Sequence, residues 1–124
     1  MTMKYTNSHE WISIEGDTGT VGVTDYAQDQ LGDVVYVQLP EIGKTIKAGE
    51  EIAVLESTKA AADLYAPMSG EVIAVNDKLN HQVELINTSA EKEGWILKLK
   101  LSHPQEAESL MNASTYQQMI QIKK

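Results

Sequence analysis

Apolar and polar positions alternate along much of this chain, with the period of two that a half-buried β-strand requires. In residues 10–15 and 19–24 the alternation is carried by Trp11, Ile12, Ile14, Val21 and Val23. The link Gly16-Asp17-Thr18-Gly19 is rich in turn formers, so these two runs are expected to form a hairpin. Residues 25–32 break the alternation. Asp25 and Gln28 have the spacing of a capping box and Gly32 is a helix stop, which predicts a helix of about two turns, too short to hold without packing on a sheet. Residues 33–39 contain Val34, Val35, Tyr36 and Val37 and form the strongest strand of the chain, ended by Pro40. A brief strand is expected over residues 44–47, closed by the Ala48-Gly49 turn. Strands over 51–57 and 62–66 flank Lys59, and alternation returns over 70–75 and 95–101. Residues 76–87 are polar and irregular, with room for one helical turn. At the C-terminus Ser102 and Gln105 make a second box with Pro104 in its first turn, closing at Leu110 and Met111. Ser114 and Gln117 make a third, opening a helix with Tyr116, Met119 and Ile120 at helical spacing, so C-terminal helices are expected over about residues 104–122.

Two stretches repeat one another loosely. Gly43, Gly49 and Glu50-Glu51-Ile52-Ala53-Val54 precede Lys59, and Gly70-Glu71-Val72-Ile73-Ala74-Val75 follow it. Such half-motifs predict a mainly β fold, a flattened β-barrel or sandwich with short peripheral and C-terminal helices, in which a hairpin within residues 51–66 displays Lys59 at one end. At 124 residues the chain fits one domain, residues 1–124, able to bury a core without staples. It has no Cys, which excludes disulfides, thiolate metal sites and a Cys nucleophile. Ten basic residues stand against eighteen acidic ones, a net charge of −8. That surface repels phosphate backbones and no basic cluster counters it, so nucleic-acid binding is not expected. The charge either steers the protein toward positively charged faces of partners or serves solubility alone. No stretch approaches membrane-spanning length, and the first residues lack both an apolar signal core and an Arg-rich presequence, so no membrane partner and a cytoplasmic location are expected.

Self-contained catalytic chemistry is not visible. His9, His81 and His103 stand singly, without the spacing of a metal site, and are read as structural or surface groups. Met68-Ser69-Gly70 lacks the first glycine of a nucleophile elbow, and no phosphate loop or dinucleotide fingerprint occurs. The acidic residues single out no catalytic pair. The segment that stands out is Glu56-Ser57-Thr58-Lys59-Ala60-Ala61-Ala62-Asp63, a long cationic side chain among small neighbours and between two strands. Such a lysine is either a point of covalent attachment or an ordinary solvated turn residue, and spacing alone leaves both open.

Taken in order, His9-Glu10-Trp11, Gly22-Val23-Thr24-Asp25-Tyr26-Ala27-Gln28, Leu31-Gly32-Asp33-Val34-Val35, Glu56-Ser57-Thr58-Lys59-Ala60-Ala61, Pro67-Met68-Ser69-Gly70-Glu71-Val72 and Gly94-Trp95 resemble the glycine cleavage H-protein family, the lipoyl carriers of that system. The resemblance runs from about Tyr5 to about Tyr116. Thr58 departs from it, standing where the family usually has Val, and residues 80–93 follow it more loosely. The resemblance implies a fold of the lipoyl/biotinyl-carrier, barrel-sandwich hybrid type. It implies lipoate joined to Lys59 as an amide, with no catalytic residue, no metal and no enzymatic activity of its own. Glycine decarboxylase, a pyridoxal-phosphate enzyme, would load an aminomethyl group on the arm. An aminomethyltransferase would pass the one-carbon unit to tetrahydrofolate, and dihydrolipoamide dehydrogenase would reoxidise the dithiol. Lipoate-protein ligase or an octanoyl/lipoyl transferase would attach the group in the first place. By the same resemblance Ser8, Glu10 and Asp63 line a cleft for the loaded arm, carboxylates suiting its cationic amine. Gly43, Glu56 and Gly70 are implied to help the lipoylating enzyme recognise the fold. Two other readings remain, a lipoyl or octanoyl relay to 2-oxoacid dehydrogenase subunits and an unmodified H-like interaction module. A biotin carrier fits less well, because biotinyl lysines usually sit between methionines and here Thr58 and Ala60 flank Lys59.

Overall fold

The computed structural model describes residues 2–123. In chain order it runs β1 (Thr2–Tyr5), β2 (Glu10–Glu15), β3 (Thr18–Val23), α1 (Asp25–Leu31), β4 (Val34–Gln38), β5 (Thr45–Ile46), β6 (Glu51–Ser57), β7 (Ala61–Tyr65), β8 (Gly70–Val75), a 3-10 turn (Asp77–Asn80), α2 (Leu85–Thr88), β9 (Leu97–Leu101), a second 3-10 segment (Pro104–Ser109) and α3 (Ala113–Lys123). Six strands form one sheet in the order β1-β2-β3-β9-β8-β5, and three form the other in the order β4-β6-β7. All pairings are antiparallel. Both sheets keep open edges, so of the two forms expected from the alternation the fold is the sandwich and not the closed barrel. The two Gly-Glu half-motifs lead into β6 and β8, which lie in different sheets.

One apolar core joins the sheets. Ile12, Val21, Val72, Leu97 and Leu99 from the larger sheet meet Val37, Ile52, Leu55 and Leu64 from the smaller one, each 5 % exposed or less. Alternation places them there: in β9, Leu97, Leu99 and Leu101 are buried while Lys100 is exposed. β4 departs from the pattern. A bulge between Val34 and Tyr36 turns Val35 and Tyr36 both outward, about half exposed, so only Val34 and Val37 of that apolar run reach the core. A second cluster of Tyr5, Trp11, Tyr116 and Ile120 docks α3 against β1 and β2. In it the Tyr5 and Tyr116 rings stack at 4.8 Å, and Trp11 donates its indole N–H to the Ala90 carbonyl at 3.0 Å.

All three expected capping boxes are displaced. Helix α1 is capped by Thr24, whose hydroxyl accepts from the Ala27 N–H at 3.2 Å, so Asp25 is already its first helical residue. Asn112 takes the same role for α3, accepting from Thr115 N–H at 2.9 Å, two residues ahead of where Ser114 would have placed it. The segment after Ser102 is a 3-10 helix with His103 at its cap and no side-chain cap bond; the Ser102 hydroxyl is bonded instead to His103 Nδ1 at 2.9 Å. In the first two cases an oxygen-bearing residue just upstream reaches the free N–H groups before the predicted one can. Residues 76–87, expected to hold one helical turn, lead through two helical segments, the first capped by the Asn76 side chain.

Candidate functional site

The turn that carries Lys59 is stiffened by Ser57. Ser57 N–H donates to the Ala60 carbonyl at 2.8 Å, closing the hairpin of β6 and β7. The Ser57 hydroxyl accepts from the backbone N–H groups of both Lys59 and Ala60, each at 3.0 Å. Thr58 N–H reaches the Asp33 carbonyl at 3.2 Å and ties the tip to the link between α1 and β4. Small side chains at Thr58, Ala60 and Ala61 leave Lys59 exposed. Its side chain is nonetheless directed: Nζ donates to the Gln30 carbonyl at 3.3 Å, and the stem passes over Gly32.

From that end of α1 a groove of 420 Å³ runs between the helix and β7, walled by Tyr26, Ala27, Gln30, Leu31, Ala62, Ser8 and His9. Several of these residues also line a recess of 70 Å³ that includes Glu10 and Asp63. Ser8, Glu10 and Asp63 thus meet at one recess, although the two carboxylates lie 53 positions apart in the chain. Asp63 and Ser8 are exposed, whereas Glu10 is 2 % exposed. The Thr6 and Ser8 hydroxyls donate to Glu10 Oε1, Ser8 at 2.6 Å, and Tyr65 N–H donates to Oε2 at 3.2 Å. Burial pushes the Glu10 carboxyl above the usual carboxylate range, while these three donors pull against it. A carboxylate has about four acceptor positions, and these donors engage both of its oxygens.

Gly43 and Gly70 lie at the β5–β8 corner of the larger sheet, where Gly43 N–H donates to the Val72 carbonyl at 2.7 Å and Gly70 pairs with Ile46. A Cβ on Gly70 would stand 2.4 Å from the Lys100 carbonyl oxygen, so backbone packing alone requires glycine there. Glu56 is exposed in the smaller sheet, opposite Ala61 and next to the tip. Gly43 and Gly70 therefore share one corner, while Glu56 belongs to the hairpin itself.

Several residues shape this site in ways that left no sign in the sequence. Ser57 was visible as a small neighbour of Lys59 and Gly32 as a helix stop, while Gln30 carried no signal beyond lying in the expected helix. His9, read as an isolated histidine, adopts φ +73°, the left-handed region that a non-glycine residue rarely enters. Its Nδ1 lies 2.8 Å from the Tyr116 hydroxyl, which is also 2.7 Å from Thr24 Oγ1, and its ring packs on Tyr26 at 4.7 Å. No spacing rule connects positions 107 residues apart. Among the described residues no group of His, Cys, Asp and Glu could hold a metal ion, and no helix is long and apolar enough to cross a membrane.

A model of the family described as "Glycine cleavage H-protein" matches residues 3–123. The glycine cleavage system H protein of Thermotoga maritima is 54 % identical over 115 residues, covering 93 % of each chain. That of Chromohalobacter salexigens is 52 % identical over 119 residues, covering 95 % of this chain and 91 % of the other. A crystal structure of a glycine cleavage system H protein from Mycobacterium marinum superposes with a TM-score of 0.84 at 39 % identity, covering 92 % of each chain. With the family model matching nearly end to end and close relatives sharing half their residues, this chain belongs to the glycine cleavage H-protein family, the non-catalytic lipoyl carriers of the glycine cleavage system.

Proposed function

We propose that Lys59 is the lysine that carries lipoate in this protein and that the groove beside α1 receives the arm. The observation that carries this reading is the direction of the Lys59 side chain, which leaves a stiffened hairpin tip and points to Gln30 on the groove wall. The residues fit the group: small neighbours leave the amine accessible, and the groove has the volume and the apolar walls, Ala27, Leu31 and Ala62, for a short aliphatic chain. When attached, lipoate supplies a dithiolane that takes up the aminomethyl group left by glycine decarboxylation.

The protein's own residues then position and shield. Glu10, with Ser8 and Asp63 beside it, receives a primary ammonium at the recess through a charge-assisted hydrogen bond. Leu31, Ala27 and Leu64 exclude water around it. Thr6, Ser8 and Tyr65 N–H fix the Glu10 carboxylate before the ammonium arrives, so little ordering is left for the binding step. Glycine decarboxylase, the aminomethyltransferase and dihydrolipoamide dehydrogenase are the partners in this reading, with a lipoate-protein ligase or an octanoyl/lipoyl transferase as the loading enzyme. A tethered arm presents the carried group to each at high local concentration. Glu56, exposed beside the tip, is the recognition residue that a loading enzyme would touch, and Gly43 and Gly70 contribute by shaping the β5–β8 corner. The chain works as one carrier domain, supported by the core its two sheets share, and in the cytoplasm.

Tryptic mapping of enzymatically lipoylated protein tests the site. Trypsin does not cut at an acylated lysine, so a fused peptide of residues 48–78 bearing one lipoyl group is expected. A lipoyl group on any of the other nine lysines, with Lys59 free, contradicts the assignment.

A further inference from the structure

The C-terminal end of α1 is shaped as a seat for the Lys59 side chain. The helix ends at Leu31, so the Gln30 carbonyl is among the last four, which have no intrahelical donor. The amide four residues on, Val34 N–H, is taken by Asn87 Oδ1 at 2.8 Å, which leaves the Gln30 carbonyl to Lys59 Nζ. Gly32 lies against the stem: a Cβ there would come within 3.0 Å of Lys59 Cε. Its backbone, at φ +88° and ψ −163°, is in a region essentially reserved for glycine. It is held there from both sides, its N–H donating to the Gln28 carbonyl at 3.0 Å and its own carbonyl accepting from Asn87 Nδ2 at 2.9 Å. Asn87 Nδ2 also donates to Gln28 Oε1 at 2.9 Å, so one side chain clamps the end of the helix and the link behind it. A helix cap accounts for a glycine at this position. It does not account for the lysine stem lying over that glycine.

We infer that Gly32, the Gln30 carbonyl and the Asn87 clamp form a latch that holds the root of the lipoyl arm along the groove, before and after lipoylation. The inference rests on Lys59 being the carrier lysine. Acylation replaces the three N–H donors of the ammonium by one amide N–H, so the charge is lost but a donor to Gln30 remains. The four-carbon stem is unchanged, and so is its close approach to Gly32. A latched root narrows the directions open to the rest of the arm and raises its effective concentration at the Glu10 recess.

The test uses the full chain assembled by chemical ligation with nitrogen-15-labelled lipoyllysine at position 59, so that loading depends on no enzyme. Against the same residue in a short peptide, its Nζ–H is expected to exchange with solvent about fivefold more slowly, the protection of a hydrogen bond of ordinary net strength. Nuclear Overhauser contacts from the Lys59 Cε protons to the Gly32 Cα protons are expected alongside. Gly32→Ala is expected to abolish both signals. D-alanine at position 32 accepts the positive φ without strain and leaves the Lys59 side open, and is expected to retain both. Peptide-like exchange with no contacts in the unsubstituted protein overturns the latch. So does retention of both signals in Gly32→Ala, or their equal loss with L- and D-alanine. If Gly32→Ala does not fold, the unsubstituted and D-alanine proteins decide between them. Enzymatic lipoylation at another lysine would remove the carrier reading instead, and the tryptic map detects that separately.

Discussion

Glu10 shows what a buried carboxylate does when three donors hold it beside a small recess. Its raised pKa has a sign for stability: the folded state keeps the proton more tightly than the unfolded chain, whose carboxyl titrates near 4.5. That contribution is complete below 4.5 and is lost as pH rises through the folded value. Denaturation of Glu10→Gln against the unsubstituted protein should therefore move in favour of Gln as pH climbs from 4 toward neutrality. The same variant should lose its hold on the arm's ammonium, so the loaded arm should hydrolyse about tenfold faster or more, the weight of one charge-assisted bond. An unchanged rate removes Glu10 from the site. Tyr116 is the other residue whose environment makes a prediction. Burial pushes its hydroxyl up to about 12, against a pull downward from Thr24. Tyr116→Phe should cost about 1–3 kcal/mol in urea denaturation, because His9 and Thr24 lose a shared partner. Stability held by the unionised hydroxyl should fade between pH 10 and 12 in the parent and not in the variant. At this scale the exposed position of Lys59 at a hairpin tip was legible because its neighbours are small over a contiguous run between two strands. His9 was not, because its role depends on a ring contributed from the far end of the chain.

The elements were legible where a period governs them and were misjudged where single hydrogen bonds decide. Period-two alternation located β2, β3, β8 and β9, and turn chemistry located the link between β2 and β3. Helix starts moved because Thr24 and Asn112 compete for the same free N–H groups as the residues downstream of them. The bulge in β4 was hidden because an unbroken run of β-formers does not say which members face inward. The hairpin tip depends on one hydroxyl. Ser57→Ala removes the acceptor for Lys59 N–H and Ala60 N–H, and should destabilise the tip by about 1 kcal/mol. Amide exchange at residues 58–60 should quicken while that of β8 and β9 stays unchanged. Equal protection in both proteins would show that Thr58 and Asp33 hold the tip without Ser57.

For the whole molecule, eight of the nine strands were expected from the sequence, but β1 was not, nor was the division into a six-stranded and a three-stranded sheet. Which strands share a sheet depends on contacts such as β3 with β9, whose paired residues lie 76 to 82 positions apart. The recess is equally non-local, since it joins the turn before β2, the start of β2, helix α1 and strand β7. Packing also constrains the molecule at Gly70, where neither the Lys100 carbonyl nor the strand can move aside for a methyl group. Gly70→Ala should lower stability by about 1–3 kcal/mol, yet its folded fraction should still accept lipoate if the corner serves shape alone. Ten lysines and no arginine make selectivity a property of the whole surface: a loading enzyme must distinguish one amine among ten. The most direct test of the account is the intact mass of the protein and of Lys59→Arg after incubation with lipoate, ATP and a lipoate-protein ligase. The account predicts one added lipoyl group on the first and none on the second. An added group on Lys59→Arg, or none on either protein, would contradict it.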